Sequence, residues 1–146
     1  VRILQDGSLR TLVHRLTNDS TVELSSHLPV EVRLYETFGA GMAWHADDVL
    51  YDPPQLEAVV TLDTTSDCVT NWKFGEQKMK SQDTDPNSDV LLKAGGPLHC
   101  VSPLKRGRRI ILKCAFAAKG AKFLEGIHTD QFGASKRKGK KRRSKR

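Results

Sequence analysis

Four stretches of the chain are predicted to form β-strands, and two of them alternate between apolar and polar residues in the way that half-buried strands do. In residues 30–38 (VEVRLYETF), Val30, Val32 and Leu34 share one face of an extended strand, because successive side chains point to opposite faces. Residues 56–63 are rich in β-branched residues and also alternate, and residues 89–94 and 108–116 are two further candidate strands. Turn-forming sequences separate the strands, at residues 38–41, 52–54, 85–89 and 94–97. Many short strands joined by regular turns predict a mainly β fold, either a sandwich or a barrel.

Three other stretches carry weaker patterns. Residues 1–16 fit a β-hairpin that turns at Asp6 and Gly7. A helix stays open for the same stretch, because its apolar residues also recur at helical spacing: Leu9, Leu12, Val13 and Leu16. Residues 74–89 are polar and are predicted to form a long loop, and residues 117–132 are predicted to form a short helix.

The positive charge of the chain is concentrated at its C-terminal end. The whole sequence of 146 residues carries a formal net charge of +7. Residues 136–146 (KRKGKKRRSKR) hold nine Lys or Arg, and the rest of the chain has 15 bases against 17 acids, a net charge of −2. A basic block of this density repels itself, so we expect one domain at 1–132 followed by a disordered tail at 133–146. Such a tail can bind nucleic acid or an anionic surface, act as a nuclear address, or only keep the protein soluble.

The cysteines and the apolar runs indicate an intracellular protein. The three cysteines, Cys68, Cys100 and Cys114, have neither zinc-site spacing nor the even number that a disulfide framework needs. No apolar run is long enough to span a membrane, so no membrane partner is expected and the predicted location is nuclear or cytoplasmic. Because the chain begins with Val1 rather than methionine, a fragment of a longer protein and an upstream targeting segment both stay open.

The most specific chemical signal lies in residues 42–52 (MAWHADDVLYD). His45 and Asp47 are two residues apart, and in a strand such residues point to the same face, so both can reach one metal ion. His99, which follows the turn at 94–97 and precedes a new strand, supplies a third ligand. Two histidines and one carboxylate form a facial set that leaves coordination positions open, which suits non-haem Fe(II), although zinc and copper accept similar ligands.

An arginine ten residues after His99 completes the pattern. A guanidinium can grip a carboxylate through two parallel hydrogen bonds, so Arg109 can hold the far end of a dicarboxylate whose other end chelates the metal. Arg108 is the rival, but alternation places it with Ile110 and Leu112 on the more apolar face of the strand. The more polar face is expected to line the site, which favours Arg109.

Together these motifs resemble the 2-oxoglutarate- and Fe(II)-dependent dioxygenases. The resemblance covers roughly residues 30–116 and rests on H-x-D at 45–47, PLHCVSP at 97–103 and GRR at 107–109. The segment H-x-V-x-P at 99–103, followed by G-x-R at 107–109, is similar to the prolyl hydroxylase branch. That branch often places a tyrosine ten residues before the first histidine, where this chain has Tyr35, and a hydroxyl-bearing contact on the following strand, where it has Thr61.

The resemblance implies a fold, a site and a reaction. The fold is a double-stranded β-helix, or jelly roll, with few short helices and a core at residues 30–116. Fe(II) would be held by three residues: His45, Asp47 and His99. 2-Oxoglutarate would be held by three others: Arg109, Tyr35 and Thr61. With O2, and with ascorbate as a supporting reductant, such an enzyme hydroxylates a substrate C–H and releases succinate and CO2; a protein or peptide substrate, hydroxylated at proline, is expected.

Two alternatives stay open. The sequences WHADD at 44–48 and RIILKCAF at 109–116 also resemble the AlkB branch, whose members oxidatively demethylate nucleic acids. That branch usually carries a second arginine six residues after the first, where this chain has Ala115. The other alternative is a catalytically inactive jelly roll that binds nucleic acid through the basic tail at 136–146.

Overall fold

The computed structural model describes residues 7–124, which contain one helix and eleven strands. Their order along the chain is α1 (Ser8–Thr17), β1 (Glu23–Leu24), β2 (Glu31–Tyr35), β3 (Met42–His45), β4 (Tyr51–Asp52), β5 (Leu56–Thr64), β6 (Val69–Lys73), β7 (Lys80–Asp83), β8 (Asp89–Lys93), β9 (Leu98–Val101), β10 (Arg109–Ala117) and β11 (Lys122–Phe123). Within residues 7–124 no helix has both the length and the apolar character that crossing a membrane requires.

The strands form two main antiparallel sheets. In the larger sheet β10 lies at the centre, with β5 and then β8 on one side and with β1 and β2 on the other. The smaller sheet has the order β3, β9, β6, β7. A short ribbon of β4 and β11 accompanies them. This arrangement confirms the predicted mainly β fold.

Helix α1 covers part of the outer face of the larger sheet. Leu9 and Val13 are four residues apart, so both fall on one side of the helix, and both are buried. They pack against alternate residues of β5 and β10, among them Val60 and Leu112. Since the helix leaves Val32 on β2 61% exposed, the apolar face predicted for residues 30–38 is not a core face.

The inner face of the larger sheet carries the polar residues of the same strands. Alternation along β10 turns Leu112 and Cys114 outward to α1, and Arg109, Ile111 and Lys113 inward to a cavity between the two sheets. β2 and β8 line the same cavity from the larger sheet, and β3, β6 and β9 line it from the smaller one. Two sheets that enclose a lined cavity are the arrangement expected of a jelly roll.

Several local predictions need correction. Of the two alternatives for residues 1–16, the described part has the helix, Ser8–Thr17, which is flanked by Gly7 (φ 78°) and Asn18 (φ 53°), both in the left-handed region. The loop predicted at 74–89 contains β7, which pairs with β6 because both supply extended backbone at the sheet edge. The helix predicted at 117–132 is wrong in its described part, where β11 pairs with β4. Residues 125–146, and so the predicted tail at 133–146, lie outside the described residues.

Candidate metal centre

Three elements bring His45, Asp47 and His99 to one end of the cavity. His45 is the last residue of β3, and it lies opposite His99 of β9 in the register of the smaller sheet. Asp47 follows in the loop after β3, and the N–H of Gly95 donates a hydrogen bond of 2.9 Å to its carbonyl. Because this bond ties the loop to the turn that precedes β9, side chains more than fifty residues apart in sequence converge.

The three side chains are spaced as metal ligands need to be. One potential ligand atom from each lies within 4.8 Å of the others. Nε2 of His99 is 3.6 Å from one carboxylate oxygen of Asp47, and Nε2 of His45 is 3.9 Å from the other. Ligand atoms bound at about 2.1 Å to one ion lie roughly 3 to 3.5 Å apart, so small side-chain rotations would bring these donors into range. Two imidazoles and a carboxylate therefore fit Fe(II), zinc or copper.

Backbone carbonyls orient both imidazoles. Nδ1 of His45 donates to the carbonyl of Ala43 at 2.8 Å, and Nδ1 of His99 donates to the carbonyl of Pro97 at 3.2 Å. A carbonyl can only accept, so each Nδ1 carries a proton, and in the neutral imidazole the lone pair is on Nε2, the atom nearest Asp47. Burial lowers the pKa of His99 from its usual value, which favours the neutral form that binds metals.

Arg109 lies in the same cavity and is almost completely buried. Its guanidinium donates to the hydroxyl of Thr61 at 3.4 Å, whereas its Nε has no hydrogen-bond partner among the described residues. No carboxylate within residues 7–124 forms an ion pair with it. Burial accordingly lowers the pKa of Arg109. A buried cation without a counter-ion is costly, so the guanidinium of Arg109 could bind an anionic group in this cavity.

The rival arginine is on the opposite face. The side chain of Arg108 is 57% exposed and forms a surface ion pair of 3.2 Å with Asp63. Arg109 therefore points into the cavity and Arg108 points to solvent, as alternation along the strand predicted.

The other two predicted cosubstrate residues surround Arg109 in different ways. Tyr35 on β2 pairs directly with Arg109 on β10 and lines the cavity. Thr61 on β5 is only 1% exposed and lies behind Arg109, where its hydroxyl orients the guanidinium. Thr70 on β6 was not predicted; it lines the cavity, and its buried hydroxyl has no hydrogen-bond partner, so it offers a second polar contact to a ligand.

Sequence reasoning also missed a charged pair behind Asp47. Lys113 donates to a carboxylate oxygen of Asp47 at 3.4 Å, and its Nζ is 3.8 Å from a carboxylate oxygen of Glu57. Both Lys113 and Glu57 are buried, and burial raises the pKa of Glu57. A signal was present, because each is a charged residue at an inward position of an apolar strand.

Comparison with known proteins finds similarity at the level of structure. No family model matches the sequence, and no curated protein matches it. A solved structure of SnoN, a non-heme α-ketoglutarate-dependent epimerase from nogalamycin biosynthesis, is similar with a TM-score of 0.65 and 15% sequence identity. The alignment covers 88% of this chain and 64% of that protein, so the chain spans less than two thirds of its length. α-Ketoglutarate is another name for 2-oxoglutarate. The likeness confirms the predicted jelly-roll fold.

Proposed function

We propose that this protein is an Fe(II)- and 2-oxoglutarate-dependent dioxygenase that hydroxylates a substrate C–H. The single observation that carries the proposal is that Arg109, a buried arginine with no counter-ion in residues 7–124, shares one cavity with His45, Asp47 and His99. A metal site alone would fit many hydrolases as well. A metal site together with a buried carboxylate-binding cation fits a chelating dicarboxylate.

The protein's part in this reaction is to bind and orient. Two imidazoles and the carboxylate of Asp47 would hold one face of Fe(II), which when bound supplies the oxidising chemistry with O2. In balance, 2-oxoglutarate, O2 and a substrate C–H give succinate, CO2 and an alcohol, with one oxygen atom going to succinate and one to the product. No residue of the chain needs to act as a general acid or base.

Arg109 would receive the distal carboxylate of 2-oxoglutarate. Its unpaired Nε and its remaining donors can form two parallel bonds to that carboxylate, while Thr61 holds the guanidinium in place. Tyr35, opposite Arg109 in the register, supports the same end of the ligand. Apolar residues along the cavity wall, such as Ile111 and Val59, exclude water from the ligand and strengthen these contacts.

The proposed substrate is a protein or peptide, hydroxylated at proline. The support is the H-x-V-x-P and G-x-R sequence at 99–109, which resembles the prolyl hydroxylase branch. Oxidative demethylation of nucleic acid is less well supported, because Ala115, at the position of the second arginine of the AlkB branch, packs in an apolar cluster with Leu28 and Leu50.

Succinate release tests the proposal without knowledge of the substrate. Purified protein given Fe(II), 2-oxoglutarate, ascorbate and air is expected to release succinate slowly, and His45→Ala, Asp47→Ala and His99→Ala are expected to abolish it. Asp48→Asn is the matched control, because Asp48 is exposed, adjacent to Asp47 and outside the ligand group. Equal succinate release by wild type and Asp47→Ala would refute the metal assignment.

Deleting the basic tail distinguishes an enzyme from a module that only binds nucleic acid. We propose that residues 136–146 contact nucleic acid or another anionic partner in a nuclear or cytoplasmic setting, through charge alone. Deleting 136–146 should leave basal succinate release unchanged and weaken DNA binding. If the deletion abolished the only measurable activity, the inactive jelly-roll alternative would be favoured.

A further inference from the structure

Behind the candidate metal ligands lies a buried chain of polar side chains that the proposed reaction does not use. We propose that Lys113, Glu57 and Gln55 form a positioning network that fixes Asp47 as a metal ligand and that Glu57 keeps Lys113 from neutralising it. The inference rests on the proposed function only in that it concerns the same metal site. Its consequence is measurable as metal affinity, without turnover.

The network joins the larger sheet to the loop that carries Asp47. Lys113 on β10 donates to Asp47 at 3.4 Å and lies 3.8 Å from Glu57 on β5. The exposed fractions of the three side chains are 8% for Lys113, 5% for Asp47 and 1% for Glu57. Because water is excluded, the interactions among these charges are only weakly screened.

Gln55 connects Glu57 to the loop that carries Asp47. Its amide nitrogen donates to Glu57 at 3.1 Å and to the carbonyl of Asp48 at 2.9 Å. Its amide oxygen accepts the backbone N–H of Leu50 at 3.0 Å. Glu57 is therefore fixed relative to the loop at residues 47–50, and through Lys113 it fixes the carboxylate of Asp47.

The charges explain why Glu57 is needed. Without Glu57, the ammonium of Lys113 and the carboxylate of Asp47 would form a buried neutral pair, and an incoming divalent ion would have to displace that pair. With Glu57 present, Lys113 is shared between two carboxylates, and the group of three retains one net negative charge for the metal. The same geometry also fits an alternative to this proposal, in which the ammonium of Lys113 occupies the position of the metal.

Metal titration of the full chain under anaerobic conditions distinguishes a metal site supported by Glu57 from a site in which Lys113 replaces the metal. Co(II) is the probe, because its visible absorption reports ligand geometry and its heat of binding gives a dissociation constant. The isosteric change Glu57→Gln removes one charge and should weaken Co(II) binding at least tenfold. The double variant Glu57→Gln with Lys113→Met also removes the competing ammonium, so it should recover most of the lost affinity. Asp63→Asn, which removes a carboxylate from the surface ion pair with Arg108, is the control and should bind as wild type does.

The outcomes are distinct. If Glu57 served only to stabilise the fold, the double variant would bind Co(II) no better than Glu57→Gln, and this result would overturn the inference. Unchanged affinity and spectrum in Glu57→Gln would overturn it too, while leaving the proposed function intact. If wild type bound no Co(II) whereas Lys113→Met did, Lys113 would stand in place of a metal, and both the inference and the proposed function would be wrong. Lys113→Arg, which keeps the charge, should preserve the Co(II) spectrum better than Lys113→Met.

Discussion

Replacing Arg109 with methionine should selectively weaken the binding of a distal carboxylate. Arg109 is 4% exposed and has an unpaired Nε, so its desolvation cost is already borne by the folded protein before a ligand binds. The ligand therefore gains nearly the full strength of the new bonds. Methionine retains much of the apolar volume of the side chain but has no donor and no charge.

The expected magnitude follows from the number of bonds lost. A charge-assisted hydrogen bond contributes about 1.5 to 3 kcal/mol, and truncating one partner of a buried charged pair costs about 2 to 5 kcal/mol. Taking about 3 kcal/mol, at about 1.4 kcal/mol for each factor of ten, the dissociation constant for 2-oxoglutarate should rise roughly a hundredfold. Because a buried cation without a counter-ion is removed, the ligand-free variant should be no less stable than wild type.

Comparing two ligands measures how much affinity comes from the contact between Arg109 and the distal carboxylate. Calorimetry in the presence of Co(II) would measure 2-oxoglutarate and pyruvate, which has the same chelating end but no distal carboxylate. Wild type should prefer 2-oxoglutarate by roughly a hundredfold, and Arg109→Met should bind the two acids about equally, since pyruvate never used the arginine.

Arg108→Met is the matched control for this test. Arg108 lies on the opposite face of the same strand and is 57% exposed, and exposed ion pairs contribute about 0 to 1 kcal/mol. Its 2-oxoglutarate affinity should stay within about twofold of wild type. If Arg108→Met lost the affinity while Arg109→Met kept it, the inward orientation assigned to Arg109 would be refuted.

Three further changes test the fold. Leu112→Ala, at a side chain with 0% exposure, should lower the free energy of unfolding by about 2 to 5 kcal/mol in a urea titration, and a loss below about 1 kcal/mol would contradict the packing. Gly107→Ala should destabilise more than Gly120→Ala: both glycines have positive φ, but only at Gly107 would the new Cβ meet a neighbouring backbone oxygen, that of Thr65 at 2.1 Å. Burial raises the pKa of the Cys114 thiol to about 11 from 9.0, so the folded state keeps a proton that the unfolded state loses. Stability should therefore fall as pH rises from about 9 to 11, by about 2 to 3 kcal/mol, and Cys114→Ala should remove that part of the pH dependence.

Local sequence is enough to predict the main strands and part of the site, namely the inward position of Arg109 and the grouping of His45 with Asp47. The alternation in residues 56–63 and 108–116 predicts β5 and β10 to within a residue or two, since each strand is packed against α1 on one face and against the cavity on the other. The same alternation decides between Arg108 and Arg109. His45 and Asp47 can be grouped because they are two residues apart.

Other features depend on tertiary contacts that no local pattern records. β7 is a polar edge strand with all four residues exposed, so its sequence resembles a loop until β6 supplies hydrogen-bond partners. Leu9 and Val13 are compatible with a hairpin until the outer face of the larger sheet is present to bury them. Glu57 and Lys113 are partners only because β5 and β10 are neighbours, a pairing that alternation within each strand does not reveal.

An anaerobic titration of the Fe(II)-loaded protein with 2-oxoglutarate tests the central claim most directly. If His45, Asp47 and His99 hold the metal and Arg109 receives the distal carboxylate, a weak visible charge-transfer band should grow to saturation with one 2-oxoglutarate per chain. The band should be absent in His99→Ala, and in Arg109→Met it should require roughly a hundredfold more 2-oxoglutarate. If wild type binds Fe(II) but gives no band at any 2-oxoglutarate concentration, or if it binds no Fe(II), the proposed dioxygenase function is contradicted.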